Sequence, residues 1–432
     1  MAALFRKPQA NKACVIGLDG VPFSMLRDLA ERGVMPATAQ LIAQGHLHRM
    51  RASLPEISAV SWTDFMTGTN SGEHGVFGFT DFKPGSYDVR FPNSLDVKRP
   101  PIWDVLADKD RRSIVINQPS TYPARKLNGI LISGFVAVDL AKAVYPPAYK
   151  TALDQLGYRV DIDSLKVREN PPLLWEELAL TMAGGRKALN FFWTEAWDYF
   201  EFVVTGTDRL HHFAWDAYPD PNHPDHTRFL DYYRQVDGLI EKIAGSYRDL
   251  VGGYAGLYML SDHGFTGLFR EVYLNAWLER QGYLRFARQE PGGLDDIAPG
   301  TRAFALDPNR IYLNLKDKFP RGTVDRSARK ALQLEIAERL KDLEYEGRKV
   351  VRRVFFAEDV YRGPQAERGP DLIVLGENGF DMKGSVKKKD IFGASDLRGM
   401  HTWDDAFFWA ERDEGQDLAI QDLARFILGN FG

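Results

Sequence analysis

Short apolar runs rich in β-branched residues recur along this chain and alternate with stretches of helical periodicity. Ala13-Cys-Val-Ile-Gly-Leu-Asp19 is the first; Ser113–Asn117, Gly129–Ser133, Phe200–Thr205, Gly256–Leu260 and Asp371–Leu375 follow. A strand with one solvated face alternates polar and apolar residues. These runs are continuously apolar, which suits strands covered on both faces. Helical patterns lie at Ser24–Gly33, Leu173–Ala183, Arg228–Ile243, Asp325–Leu343 and Leu418–Leu428, with Leu332, Ile336 and Leu340 forming one stripe. Strands alternating with helices specify an α/β fold, a mostly parallel central sheet with helices on both faces.

The size of that sheet follows from length. A chain of 432 residues accommodates one large domain with insertions, and 44% hydrophobic with 26% charged residues excludes a disordered chain. We expect a single catalytic domain over 1–432, with cap insertions at about 140–190, around Pro146, Pro147, Pro171 and Pro172, and at about 285–350. Residues 289–301 have turn chemistry and little apolar content, so they read as outside the core. Fifty-five basic against 59 acidic residues give a net charge of −4, without the basic footprint of a nucleic-acid polymer binder. Cys14, the single cysteine, excludes an intramolecular disulfide and any Cys-rich metal site. No secretory leader or membrane span is visible, so the expected location is cytoplasmic. Oligomeric state is left open.

Acidic residues stand where several strand patterns stop. Asp19 ends the first and precedes Gly20. Asp208, with His212 four residues on, follows Phe200–Thr205, and Asp262-His263-Gly264 closes Gly256–Leu260. An aspartate at a strand end also serves as a turn former. Ligands of open α/β sheets, however, bind beyond the carboxyl ends of the strands, where these groups could converge. Carboxylates with imidazoles suit Zn2+ or Mn2+.

Ser58 lies where the loop from Pro55 turns into a helical pattern that ends at Thr67-Gly68. As an N-cap it would bond the first-turn N–H groups. In the same place its hydroxyl sits where the helix dipole welcomes an anion, and a neighbouring metal would make it a nucleophile.

Asp19, the Ser58 segment, Glu73-His74-Gly75, Asp208-x-x-x-His212, Asp262-His263-Gly264 and Gly399-Met-His401 fall in the chain order of the alkaline phosphatase superfamily. Ile16-Gly-Leu-Asp-Gly20, Trp62-Thr-Asp-Phe-Met-Thr-Gly-Thr-Asn70, His74-Gly-Val-Phe77, Asn117-Gln-Pro-Ser-Thr-Tyr-Pro123 and Asp208-Arg-Leu-His-His-Phe213 resemble its type I phosphodiesterase/nucleotide pyrophosphatase branch, in particular the bacterial predicted phosphohydrolase/phosphomutase group. The resemblance runs from about residue 13 to 410. It implies an alkaline-phosphatase-like fold and a metal-dependent hydrolase acting on a small-molecule phosphoester, with a phosphodiesterase as the expected activity. It implies two divalent ions, Zn2+ or Mn2+, one held by Asp208, His212 and His401 and the other by Asp19, Asp262, His263 and the oxygen of Ser58. Ser58 would attack phosphorus in line and form a phosphoseryl intermediate. A phosphomutase or phosphomonoesterase on the same site is the alternative, and a non-catalytic binding protein of this fold is a third reading.

The sequence departs from the nucleotide pyrophosphatase pattern at Phe79, where those enzymes have an asparagine that contacts phosphate; Asn70, Thr80 or a backbone N–H is left for that contact. Charge counting adds a constraint. Two divalent cations against three aspartates and a Ser58 alkoxide make a neutral cluster, which favours a monoanionic diester over a dianionic monoester, unless Arg209 or the Lys387–Lys389 run adds charge. Trp62, Phe213, Trp215 and Trp403 are candidates to line a pocket or to pack beneath the site.

Overall fold

The structure, a computed structural model, describes residues 11–432. They form two compact units. The first comprises the described residues up to Thr69 together with Arg99–Phe265 and His401–Gly432; the second comprises Asn70–Lys98 and Thr266–Met400. The sequence reads as one domain with two insertions, yet residues 140–190 belong to the first unit and 285–350 to the second, which has a core of its own.

An eight-stranded sheet organises the first unit. Its strands are β1 (Ala13–Leu18), β2 (His46–Met50), β3 (Ser113–Gln118), β4 (Gly129–Ser133), β5 (Val144–Tyr145), β6 (Tyr199–Val204), β7 (Leu257–Leu260) and β8 (Ala406–Ala410). They lie in the order β2-β8-β7-β1-β6-β3-β4-β5. The central five, β7 to β4, are parallel, while β2, β8 and β5 pair antiparallel at the flanks. Every residue of β1, β3, β4 and β6 is buried, as continuous apolar runs demand.

Helices α1 (Ser58–Thr67), α2 (Leu174–Trp193), α3 (Gly206–Ala214) and α4 (His226–Val251) pack in this unit. α4 contributes Phe229, Tyr233, Val236, Ile240 and Ile243 to the core that also holds Cys14, Ile16 and Leu18 of β1. Each such side chain, fully buried, stabilises the fold by about 1.5–3 kcal/mol. Gly17 is required by packing: a Cβ there would stand 2.6 Å from Trp62 Cη2 of α1. Only glycine lets α1 lie this close to β1.

The second unit contains a four-stranded antiparallel sheet ordered 303–306, 310–313, 372–376, 351–356. The late apolar run expected as a strand is therefore one, but in this sheet and not in the parallel one. Leu294 and Ile297, in the stretch read as outside the core, are buried in the second core. Two apolar residues suffice to anchor a segment that is otherwise all turn chemistry. Among the described residues no helix is long and apolar enough to cross a membrane.

Candidate active site

Three adjacent parallel strands end together. Leu18 of β1 pairs with Val204 of β6, and Gly17 with Leu260 of β7. Asp19, the start of α3 and Ser261–His263 therefore emerge at one edge, where open α/β sheets bind ligands. Gly20 follows Asp19 at φ 68°, and a Cβ on it would come within 3.1 Å of His263 Cε1. The turn aims the Gly20 N–H at Asp262 Oδ1, 3.0 Å away. One helical turn of α3 separates Asp208 from His212, so both face the same way. His401 lies in the strand Gly399–Thr402.

Ser58 is the first helical residue of α1, and the N-cap position is Ile57, without a side-chain cap. The serine is thus not the cap that its sequence position suggests. Its Oγ instead donates to Asp19 Oδ1 at 3.2 Å and lies 3.2 Å from His263 Nε2.

All seven expected residues meet in the first unit, as two adjoining groups. Asp208 Oδ1, His212 Nε2 and His401 Nε2 form a triangle with sides of 3.5, 3.2 and 3.0 Å. Asp19 Oδ1 and Asp262 Oδ2 lie 3.6 and 3.4 Å from His263 Nε2. His263 Nε2 is also 4.0 Å from Asp208 Oδ1, and its ring stacks on that of His401 with centroids 3.7 Å apart.

The histidine tautomers follow from their partners. His401 Nδ1 is 2.9 Å from the Glu56 carbonyl oxygen, and His263 Nδ1 is 3.0 Å from that of Gly264. A carbonyl only accepts, so Nδ1 carries a proton and Nε2 is the atom of each ring that faces the site. His211 differs. Its Nδ1 donates to the Gly20 carbonyl, its Nε2 accepts from Tyr233, and burial pushes it down to about 3, so it is a neutral structural histidine.

Burial and like charge act against the site carboxylates. Burial, with the charges of Asp262 and Asp208, holds Asp19 well above the usual carboxylate range. Burial, opposed by the Gly20 N–H and reinforced by Asp208, pushes Asp262 up to about 7. For Asp208 burial is outweighed by His212, His401 and Arg209, which hold it low. Asp262 Oδ2 is buried without a hydrogen-bond donor. Two atoms bound tetrahedrally to one zinc lie roughly 3.3 Å apart. The separations given above lie near that spacing, His263 is close enough to adjoin both groups, and imidazole with carboxylate suits a borderline divalent ion, so these residues fit the expected metals.

Supporting residues were less legible. Thr207 Oγ1 donates to the Asp19 carbonyl oxygen, and Trp62 Nε1 donates to Asp19 Oδ2 at 3.2 Å. Trp62 is wholly buried, so of the four candidate aromatics it packs beneath the site; Phe213 and Trp215 are partly buried against the core. Arg209 donates to Asp208 Oδ2 at 3.2 Å and grips Asp161 with Nε and Nη2, at 3.0 and 2.7 Å from Oδ2. No local pattern announces Asp161. In the second unit Asn70 Oδ1 accepts from the Gly72 and Arg362 N–H groups, and Thr80 Oγ1 accepts from Arg310.

Comparison with known proteins gives the fold's neighbours and the chain's family. Similar solved structures include phosphonoacetate hydrolase from Sinorhizobium meliloti 1021 in complex with phosphonoacetate, with a TM-score of 0.67 at 16% identity over 98% of this chain and 96% of that one. Murine ectonucleotide pyrophosphatase/phosphodiesterase 5 is similar at a TM-score of 0.54 and 12% identity, over 97% and 95%. Its complex with AMP scores 0.56 at 12% identity, over 97% and 94%. These likenesses establish the fold. No curated protein matches the chain. The model of the type I phosphodiesterase/nucleotide pyrophosphatase family matches residues 13–404, nearly the full length, and the chain therefore belongs to that family of phosphoester hydrolases.

Proposed function

We propose that the protein is a phosphodiesterase that works through a phosphoseryl intermediate on Ser58. The observation that carries this reading is Ser58 Oγ at 3.2 Å from both Asp19 Oδ1 and His263 Nε2, beside the Asp208, His212 and His401 triangle. Asp208, His212 and His401 would hold one divalent ion, and Asp19, Asp262, His263 and Ser58 Oγ the other, Zn2+ or Mn2+ in each case. When bound, such ions supply Lewis acidity, favouring the serine alkoxide and offsetting charge on phosphoryl oxygens.

The chain's own groups do the rest. Trp62 and Thr207 fix Asp19, and the Gly20 N–H fixes Asp262, so the nucleophile meets a preset environment. Ser58 opens α1, whose N-terminal dipole favours the incoming anion. Ser58 Oγ bonds to phosphorus as the bond to the ester oxygen breaks, and the alcohol leaves with a proton. Water then displaces Ser58 Oγ, which regains its proton, and the phosphomonoester departs.

Preference for a diester rests on Arg209. This cation beside Asp208 is already neutralised by Asp161, which leaves the charge balance of the cluster unchanged. A monoanionic substrate then needs no further positive charge.

The test is metal analysis of the purified protein with a panel of bis-aryl phosphate, mono-aryl phosphate and phosphonoacetate. Two Zn2+ or Mn2+ ions per chain and faster bis-aryl turnover are expected, and Ser58→Ala should lose about a thousandfold or more. Full activity in Ser58→Ala would remove the nucleophile assignment, and a wide margin in favour of the monoester would remove the diester preference.

A further inference from the structure

The edge of the large sheet carries another set of metal-type donors. Residues two apart on a strand point the same way, so β2 presents His46 and His48 on one face. Their rings are 7° from parallel with centroids 6.2 Å apart. In the pairing of β2 with β8, His46 lies opposite Ala410 and His48 opposite Phe408. The chain leaving β8 then brings Asp413 to them, with Oδ1 at 3.0 Å from His48 Nε2.

One donor atom of each of the three residues lies within 4.8 Å of the other two. The carboxylate is oriented in advance, because the Gly415 N–H donates to Asp413 Oδ1 at 3.0 Å. His48 Nε2 is buried and has no aligned hydrogen-bond partner, although Asp413 Oδ1 is so close. With the imidazole neutral, Nε2 and the carboxylate would both turn lone pairs towards a common third point. The 3.0 Å gap is near the roughly 3.3 Å that separates two tetrahedral zinc ligands.

We propose that His46, His48 and Asp413 form a surface site for one borderline divalent transition-metal ion such as Zn2+, separate from the cluster at Ser58. Two imidazoles with a single carboxylate select such an ion over Mg2+ or Ca2+, which take sets of oxygens. Water completes the coordination. The ion would clamp the edge strand β2 to the segment that follows β8, adding to the Arg51–Asp417 ion pair and to the backbone hydrogen bonds that join Arg51 to Leu418 and Ile420.

Equilibrium dialysis of the full chain against Zn2+ tests the site. The His46→Gln/His48→Gln double variant should bind one ion fewer per chain than the parent while retaining its aryl phosphate turnover. Asp413→Asn should weaken that one ion by about tenfold or more. With Cu2+ as probe, the nitrogen hyperfine splitting of a two-imidazole site should be present in the parent and absent from the double variant. Circular dichroism verifies folding, and the single variant at the exposed His46 serves if the double variant fails that control. Equal ion counts in parent and variant would overturn the site, and so would loss of turnover in step with the lost ion, which would make this ion part of the main centre.

Discussion

Asp161 neutralises Arg209, and that pairing sets the charge that a substrate meets. Asp161→Asn leaves the guanidinium unbalanced beside Asp208. One unit charge at about 10 Å and an effective dielectric constant near 20 is worth roughly 1–2 kcal/mol, so mono-aryl phosphate turnover should gain about tenfold relative to bis-aryl phosphate. Competition between the two esters reads that ratio directly. Glu201, on the interior of β6, offers a second test away from the site. Burial, opposed by the hydrogen bond from Tyr199, pushes it up to about 8. A carboxyl that titrates higher folded than unfolded stabilises least when ionised. Its contribution is intact below about pH 4.5, declines as pH rises towards 8, and stays lost above. Glu201→Gln removes the titration and should raise Tm by a few degrees at pH 8 with little change at pH 4.5, as thermal melts across pH would record. At this scale the seven donors were legible because Asp, His and Ser advertise their chemistry. Asp161 was not, since an ion-pair partner 48 residues from Arg209 leaves no spacing to notice.

The contact between β1 and α1 is where an element acts on the site. Gly17 admits the Trp62 indole, and that indole holds Asp19. Gly17→Ala should cost about 1–3 kcal/mol through overpacking, seen in denaturant unfolding, and should weaken Zn2+ binding in the same protein because Asp19 loses its anchor. Elements were legible to the extent that their signal is local. The run read as Ala13–Asp19 is a strand over Ala13–Leu18, with Asp19 just beyond it, and α4 extends beyond the expected Arg228–Ile243 at both ends, over His226–Val251. The run at 371–375 reads as a strand equally well in either sheet; its partners at 310–313 and 351–356 decide, and they are not written in the run itself.

Across the whole molecule, the proposed ligands all belong to the first unit, whereas the second unit has a separate core. Chelation should therefore abolish turnover and lower amide protection around Asp19, Ser58, Asp208 and Asp262, and leave strands 303–306 and 310–313 unchanged. Hydrogen exchange with and without Zn2+ checks this, since binding stabilises only the structure that includes the site. A uniform change over both units would contradict it. The division into two units escaped sequence reading because each unit is assembled from separated segments, and no linker composition marks where the chain passes between them. The order of strands has a consequence for synthesis. β8 lies between β2 and β7, and it is made more than 350 residues after β2. On the ribosome, β2 waits unpaired until almost the entire polypeptide has emerged, so the sheet edge closes late and an interrupted translation product displays a raw strand for chaperones and proteases to find.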